Sequence, residues 1–283
     1  MKYLLIYIIT IIFVSCTHTL VDEDPNSLVV GTYNIQWLGD GIEDNVIRKS
    51  KDYMNIAYQI ESSDVEIFGL QEIENENAIK NLIEFLPSWN YKFIDNGTKQ
   101  NLCFIYKSYI KISKIELVEN LEVEKNKTRK ASIISFSYAN EEINIINVHL
   151  KSTSRYDDTP EKLQRSFELR NAQAIALNNI SKMFNDKKRN LIVLGDFNDN
   201  PNRNSKSQIS ILEENLYFPT KELKSCKAFY FDCIDHIAIN DMLKDNLEPN
   251  SQLIIDSKVL FKEEELKLIS DHCPVIIKLN FNK

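Results

Sequence analysis

The residues able to do chemistry in this chain are few, and they sit beside one another. Of four histidines in 283 residues, His18 lies near the start and the other three adjoin carboxylate-bearing motifs. His149 ends INVHLKS, His236 follows Asp235 in IDHIAI, and His272 follows Asp271 in SDHCPV. Between them stands GDFNDNP, with Asp196 and Asn198. Upstream, GLQEI carries Glu72 and GTYNIQ carries Asn34. Imidazole titrates near neutral pH, and carboxylates hold hard cations. Histidines this scarce and this close to aspartates read as parts of a site rather than as core filling.

The elements that must position these residues alternate. Residues 28 to 36, 65 to 73, 131 to 138, 142 to 149, 191 to 197, 234 to 239 and 273 to 279 are apolar or β-branched and read as strands. Three shorter strands are expected near 90 to 95, 101 to 107 and 109 to 118, with Asn96-Gly97 turning the first into the second. Helices are expected over 43 to 61, with Ile47, Met54 and Ile60 on the apolar face, and over 75 to 86. A long helix is expected from 160 to 184. Thr159 is placed to cap it, and Leu163, Phe167, Ala174, Leu177 and Phe184 form its buried stripe. The motifs fall at strand ends, where rigid scaffolds present polar groups. Three of six glycines, Gly31, Gly69 and Gly195, lie within three residues of Asn34, Glu72 and Asp196. No Gly-rich phosphate loop or dinucleotide fingerprint is present.

The start of the chain addresses it elsewhere. Met1-Lys2 precedes an apolar stretch from Tyr3 to Val14. That is too short for a bilayer span, which takes roughly 20 residues, but suits a secretory signal. Ser15-Cys16 resembles a bacterial lipobox, which implies residues 1 to 15 as signal peptide and lipid on Cys16. Residues 16 to 27 are a polar tether, and 28 to 283 form one catalytic domain, since the motifs span it from end to end. The expectation is an exported cell-envelope lipoprotein, bound to membrane through that anchor. The net charge of −7 argues against a nonspecific cationic nucleic-acid binder, although a bound cation can supply local positive charge. Export permits disulfides. A Cys226–Cys233 bond closing a small loop and two free thiols both stay open. Cys103 and Cys273 read as buried thiols, and no cysteine–histidine spacing suits zinc.

In this order, GTYNIQWLG, GLQE, NVHLKS, GDFND, IDHIAI and SDHCPV resemble the endonuclease/exonuclease/phosphatase superfamily, the DNase I-like phosphoesterases. The resemblance covers essentially all of residues 28 to 283. It implies a four-layer α/β sandwich: two mostly antiparallel sheets face to face, helices outside, and the site at one end. It implies Glu72 as principal ligand of Mg²⁺, with Asn34 and Asp271 completing or supporting the metal site. Mn²⁺ would substitute, and Ca²⁺ is an option. It implies Asp196 as the residue that orients or deprotonates the attacking water, with Asn198 holding Asp196 or the phosphate. His149 and His272 would grip the scissile phosphate, with Asp235 fixing the tautomer of His272. Arg129 matches a phosphate-contacting position, although its run Lys125, Lys127, Arg129, Lys130 also reads as a solvated loop. His236, Arg170 and Gln173 are left outside the site.

Substrate choice lives in loops. The first expectation is a nuclease acting on DNA or RNA. The alternatives are a sphingomyelinase-like phospholipid phosphodiesterase, a phosphatase of the inositol-phosphate type, or a surface adhesin without activity. Against the lipid reading, no exposed aromatic hairpin tip is evident in the sequence. No protein partner is inferred.

Overall fold

The computed structural model describes residues 26–154 and 156–282. The expected signal segment, His18 and the lipidation site Cys16 lie outside the described residues. Ser27, assigned above to the tether, already begins the first strand.

Two sheets carry the fold among the described residues. The first has six strands: β1 (Ser27–Leu38), β2 (Ile67–Ile73), β3 (Trp89–Ile94), β4 (Asn101–Lys107), β10 (Leu253–Ile254) and β11 (Val275–Asn280), in the order β10-β11-β1-β2-β4-β3. The second has five: β5 (Ile112–Val118), β6 (Ala131–Tyr138), β7 (Glu141–His149), β8 (Asn190–Asp196) and β9 (Asp235–Ile239), in chain order. Each sheet contains one parallel pair, β1 with β2 and β7 with β8, and is otherwise antiparallel.

Side-chain alternation, with its period of two, sorts these strands into layers. Leu28, Val30, Ile143, Ile145, Ile192, Leu194, Ile237, Ile239, Val275 and Ile277 face between the sheets and form one apolar cluster. Residues on the other faces point outward to helices. Tyr33, Ile35, Phe68 and Leu70 pack on α1 (Ser50–Glu61), α2 (Glu76–Ile83) and Ile269 of α5 (Glu263–Ile269). Ile146, Val148, Leu191 and Val193 pack on α3 (Pro160–Asp186). A short α4 (Ser257–Leu260) precedes α5. The result is the four-layer α/β sandwich: helix, sheet, sheet, helix.

Two helices differ in detail from the pattern read in the sequence. Residues 43 to 49 form no helix, and Ile47 and Met54 are exposed. Tyr53, Ile56, Ala57 and Ile60 are the face that α1 buries. In α3, Thr159 does cap the N-terminus, its Oγ1 accepting from Lys162 N at 3.3 Å. Its buried stripe begins at Ser166 and Leu169, while Leu163 is exposed. The stripe also includes Arg170 and Gln173, polar residues on a face that periodicity alone assigns to carbon.

Candidate active site

The inter-sheet face changes character along its length. On β7 the inward residues run Ile143, Ile145, Asn147, His149. On β8 they run Ile192, Leu194, Asp196, and on β1 Leu28, Val30, Thr32, Asn34. All three begin apolar and end polar at the same edge of the sandwich. The parallel pairings bring the C-terminal ends together, with His149 opposite Asp196 and Asn34 opposite Gln71. Antiparallel β9 and β11 bring their starts to the same edge, so Asp235 stands opposite Asp196. One step deeper, Gln71 Nε2 donates to Asn147 Oδ1 at 2.7 Å and to Thr32 Oγ1 at 3.0 Å. This buried, bonded layer is the floor of the site and holds the two sheets in register.

Close backbone approach depends on glycine at Gly195. Its φ is +144°, and a Cβ there would lie 2.0 Å from the Val148 carbonyl oxygen. Elsewhere the strands bulge. The β1–β2 register shifts between Asn34 and Leu38, and the β2–β4 register between Leu70 and Ile73. Gln36, Trp37 and Glu72 take positive φ at these bulges, and Asn198 does so after β8. Such backbone is costly for non-glycine residues and persists where surrounding contacts hold it. Here the holding bonds run to the site itself. Trp37 N donates to Glu72 Oε2 (3.1 Å), Gln36 N to Asn34 Oδ1 (2.9 Å) and Asn198 N to Asp196 Oδ1 (2.8 Å).

These turns bring most of the expected residues together. Asn34 Nδ2 donates to Asp196 Oδ2 at 3.1 Å and to Glu72 Oε1 at 3.3 Å. His149 Nε2 lies 3.5 Å from Asp196 Oδ2 and 3.9 Å from Glu72 Oε1. His272 Nδ1 meets Asp235 Oδ2 at 2.7 Å. Oxygen or nitrogen atoms of Asp196, Asp235 and His272 all lie within 4.8 Å of one another. Ser270 ties the halves together: its Oγ donates to the Asn34 carbonyl (2.7 Å) and accepts from His272 N (3.0 Å). Of the basic run, Lys125 and Lys127 are exposed and Lys130 pairs with Glu119 at 2.6 Å. Arg129 is half-buried, bonds Gln100 Oε1 and feels the charges of Glu72 and Asp196.

Two expected residues take other places. Asp271 turns to the rim, where its Oδ2 pairs with Lys227 Nζ at 2.9 Å, and its other oxygen lies 3.7 Å from His272 Nε2. It therefore stands with the histidine rather than with Asn34 and Glu72. The Asn198 amide is directed at the Leu150 carbonyl (3.2 Å), so its hold on Asp196 is through the backbone N–H. His236 is core: Thr220 Oγ1 and the Asp199 carbonyl meet its two nitrogens, and Phe197 and Phe218 meet its ring edge to face. Period two explains this, since Asp235 facing inward sends His236 outward.

Burial and crowding set the charges. Burial first, and then the Asp235 charge, raise the Asp196 carboxyl to about 7, while His272, the Asn198 N–H and Asn34 hold it back. Burial alone would lower His272, but the charge and hydrogen bond of Asp235 outweigh it and carry it up to about 10. His149 is pushed well below its ordinary value by burial and by the Arg129 and His272 charges, so it is neutral. Among the described residues, buried Asp235 Oδ1 and His149 Nδ1 have no hydrogen-bond partner. Glu72, Asp196 and Asp235 present hard carboxylate oxygens, and one buried oxygen still lacks a donor. That set fits a divalent cation of the Mg²⁺ class better than a thiolate-seeking metal.

Three positioning residues lie outside the set read from the sequence: Arg170 and Gln173, which that reading sets aside, and Arg48, which it does not consider. The Arg170 guanidinium, buried in α3, donates through Nε to the Lys151 carbonyl at 2.8 Å and through Nη1 to the Asn198 carbonyl. Gln173 accepts from Lys151 N at 2.8 Å and donates to the carbonyls of Leu121 and Arg129. Together they fix the loops that follow His149 and Asp196 and the segment that carries Arg129. On the opposite side Arg48, buried ahead of α1, donates to the carbonyls of Ile35, Gln36, Trp37, Leu268 and Ile269. It braces the loop after Asn34 against the segment before His272. The readable signal was a charged residue on a buried helical stripe, 170 with 174 and 177.

The cysteines correct the sequence reading. Cys226 bonds Cys273, with Cα atoms 6.3 Å apart, and not Cys233. Residues 223 to 233 run as a hairpin, with Cys233 N donating to the Leu223 carbonyl and Ser225 N to that of Phe231. Cys233 is thereby turned into the inter-sheet core as a free thiol, and Cys226 meets the residue after His272. The tip of this hairpin also overturns the absence of an exposed aromatic tip: Phe229, Tyr230 and Phe231 are 83%, 68% and 54% exposed.

No curated protein sequence matches the chain. Solved structures share its fold. An endonuclease/exonuclease/phosphatase family protein of Bacteroides thetaiotaomicron is 17% identical, with a TM-score of 0.63 over 91% of this chain and 98% of that one. A mannosyl-6-phosphatase of the same organism is 16% identical, with a TM-score of 0.60 over 90% and 100%. D. rerio TDP2, complexed with a single-strand DNA product, is 14% identical, with a TM-score of 0.62 over 90% and 99%. The sequence model described as the Endonuclease/Exonuclease/phosphatase family matches residues 34–278. The DNase I-like sandwich and that match over most of the chain place this protein in the endonuclease/exonuclease/phosphatase family, as a phosphoesterase-type hydrolase.

Proposed function

We propose that this phosphoesterase is a divalent-cation-dependent nuclease, hydrolysing phosphodiesters of DNA or RNA. The observation that carries the reading is the pairing of a base held near neutrality, Asp196, with a histidine kept cationic by Asp235. Asp196 takes a proton from water as the water oxygen bonds to phosphorus. The bond from phosphorus to the leaving oxygen breaks, and a proton from the site completes the alcohol. Neutral His149, its Nε2–H toward the carboxylate, orients the attack. His272 and Arg129 offset the negative charge that phosphate brings. Glu72, supported by Asn34, would hold Mg²⁺ or Mn²⁺, which supplies charge neutralisation at a phosphate oxygen.

The exposed aromatic tip favours one second reading, a sphingomyelinase-like attack on phospholipid. A comparison of plasmid DNA, RNA and sphingomyelin vesicles, with Mg²⁺ and with EDTA, separates the two. Metal-dependent nicking that is lost in Asp196→Ala or His149→Ala, by a few orders of magnitude, is the expected result. Choline-phosphate release without nucleic-acid cutting would move the function to lipid, and chelator-resistant turnover would defeat the metal role of Glu72. The disulfide suits an oxidising compartment, in keeping with export and an anchor on Cys16. Cys16→Ala should release the protein from membranes, and continued membrane pelleting would refute the anchor.

A further inference from the structure

Three consecutive aromatic side chains stand in solvent on the hairpin whose Phe231 lines the cleft of Asp235 and His272. Phe229, Tyr230 and Phe231 crown the hairpin in which Lys224 pairs with Asp232. Their rings touch in series: Phe229 to Tyr230 with centroids at 5.5 Å, and Tyr230 to Phe231 at 4.6 Å. Exposed rings of this size carry a cost in water and mark surfaces that meet something. Phe231 lines the same cleft as Asp235, His272, Asp271, Lys227 and Arg203. A group stacked on it would thus be joined to the phosphate that His272 faces.

We infer that this tip is a stacking platform for an unpaired nucleobase beside the scissile phosphate, and that it makes the enzyme prefer single strands. The inference rests on the nuclease reading and names the form of its substrate. Every base offers a flat π-face, so stacking tolerates sequence. It requires a base freed from its own helix, which a duplex withholds. The platform is held ready in advance. The Cys226–Cys273 bond anchors its base beside His272, and Lys258 Nζ binds the carbonyls of Cys226 and Lys227. Holding the rings in place lowers the ordering cost on binding. The neck is a poor collar for an anionic lipid leaflet. Lys224 is matched by Asp232, Lys227 by Asp271 at 2.9 Å, and Lys258 by carbonyls. The cleft therefore combines cation and carboxylate chemistry for a phosphate with an aromatic wall, the two halves of a nucleotide.

The test uses the full-length protein in detergent with three substrates: a single-stranded oligonucleotide, its complementary duplex, and a strand of abasic sugar-phosphate units. For each, kcat/KM is measured with wild type, with the triple variant Phe229→Ala, Tyr230→Ala, Phe231→Ala, and with Phe231→Trp. Wild type should favour the base-bearing single strand over the other two. The triple variant should lose about tenfold of that preference over the abasic strand, mainly in KM, the scale of one lost stack. Phe231→Trp should keep it. A triple variant that retains the wild-type ratio would overturn the inference while leaving the nuclease reading intact. So would an unchanged ratio joined to lost binding of phosphatidylcholine–sphingomyelin vesicles, which would make the tip a membrane surface. Wild type that cuts none of the nucleic acids would defeat the nuclease reading itself.

Discussion

Replacing Asp196 by asparagine should abolish turnover and yet stabilise the fold at alkaline pH. Asp196 is 2% exposed and its carboxyl is raised to about 7 from an ordinary 3.8. A carboxyl raised in the folded state is protonated in both states below about 3.8. Between 3.8 and 7 the unfolded chain ionises and the folded one resists, so stability falls as pH rises. Above 7 the loss is complete, at about 1.4 kcal/mol per pKa unit, or about 4 kcal/mol. Asparagine never ionises and escapes this cost. It keeps an acceptor for the Asn198 N–H, but presents an amide to Asn34 Nδ2, which now donates to Oδ2. That mismatch costs about 1–2 kcal/mol. The net gain at pH 8 in EDTA is then about 2 kcal/mol, or roughly 5 °C in Tm for a domain of this size. The assay is thermal unfolding of both proteins from about pH 4 to about pH 8, a range that spans the titration. The gain should vanish toward the acid end, and added Mg²⁺ should narrow it at the alkaline end by stabilising wild type, with its additional carboxylate, more than the variant, which keeps Glu72. An Asp196→Asn variant no more stable than wild type in alkaline EDTA would refute the assigned electrostatics.

The braces and the disulfide yield further expected outcomes. Arg170→Met should cost about 2–4 kcal/mol, because it leaves the part-buried carbonyls of Lys151 and Asn198 without this donor, and should lower kcat more than KM. Arg170→Lys should recover part of the stability but less of kcat, since an ammonium cannot span both carbonyls; equal recovery would show a purely structural role. Reducing Cys226–Cys273, which spans 47 residues, should cost about 4 kcal/mol by loop entropy. Unfolding in denaturant with and without reductant measures it, and an unchanged midpoint would argue that no such bond forms. Acidification toward pH 4 should destabilise wild type through His236, which burial lowers to about 4. That stability is present above 6.5 and lost between 6.5 and 4. In the same unfolding series His236→Gln, which stays neutral, should gain stability relative to wild type as pH falls through this window, the opposite Asp196 effect being common to both. A difference between the two proteins that does not change with pH would refute the assignment to His236.

The polar ends of apolar strands were legible in the sequence because both patterns are local. Period two puts His149 with Asn147 and Ile145, and Asp196 with Leu194, on one face of each strand. Four motifs ending or preceding such strands could converge only at one edge of a two-sheet sandwich. The helix cap at Thr159 and the turn at Gly97 are equally local. Side-chain partners across the fold were not local, and the structure alone decided them. Cys226 lies seven residues from Cys233, yet the hairpin turns Cys233 inward and leaves Cys226 to meet Cys273. Asp271 adjoins His272 in the chain, but its partner is Lys227, 44 residues away. Arg48, Arg170 and Gln173 act by bonding carbonyls, which every residue carries and no sequence pattern marks. The aromatic run at 229 to 231 carries no local mark of exposure, and only the hairpin geometry puts it in solvent, with Phe231 lining the cleft, rather than in a core. Sequence determines which groups share a strand face, because the backbone repeat is short. Tertiary structure decides which groups meet across strands, loops and helices, because those distances depend on how the whole chain closes.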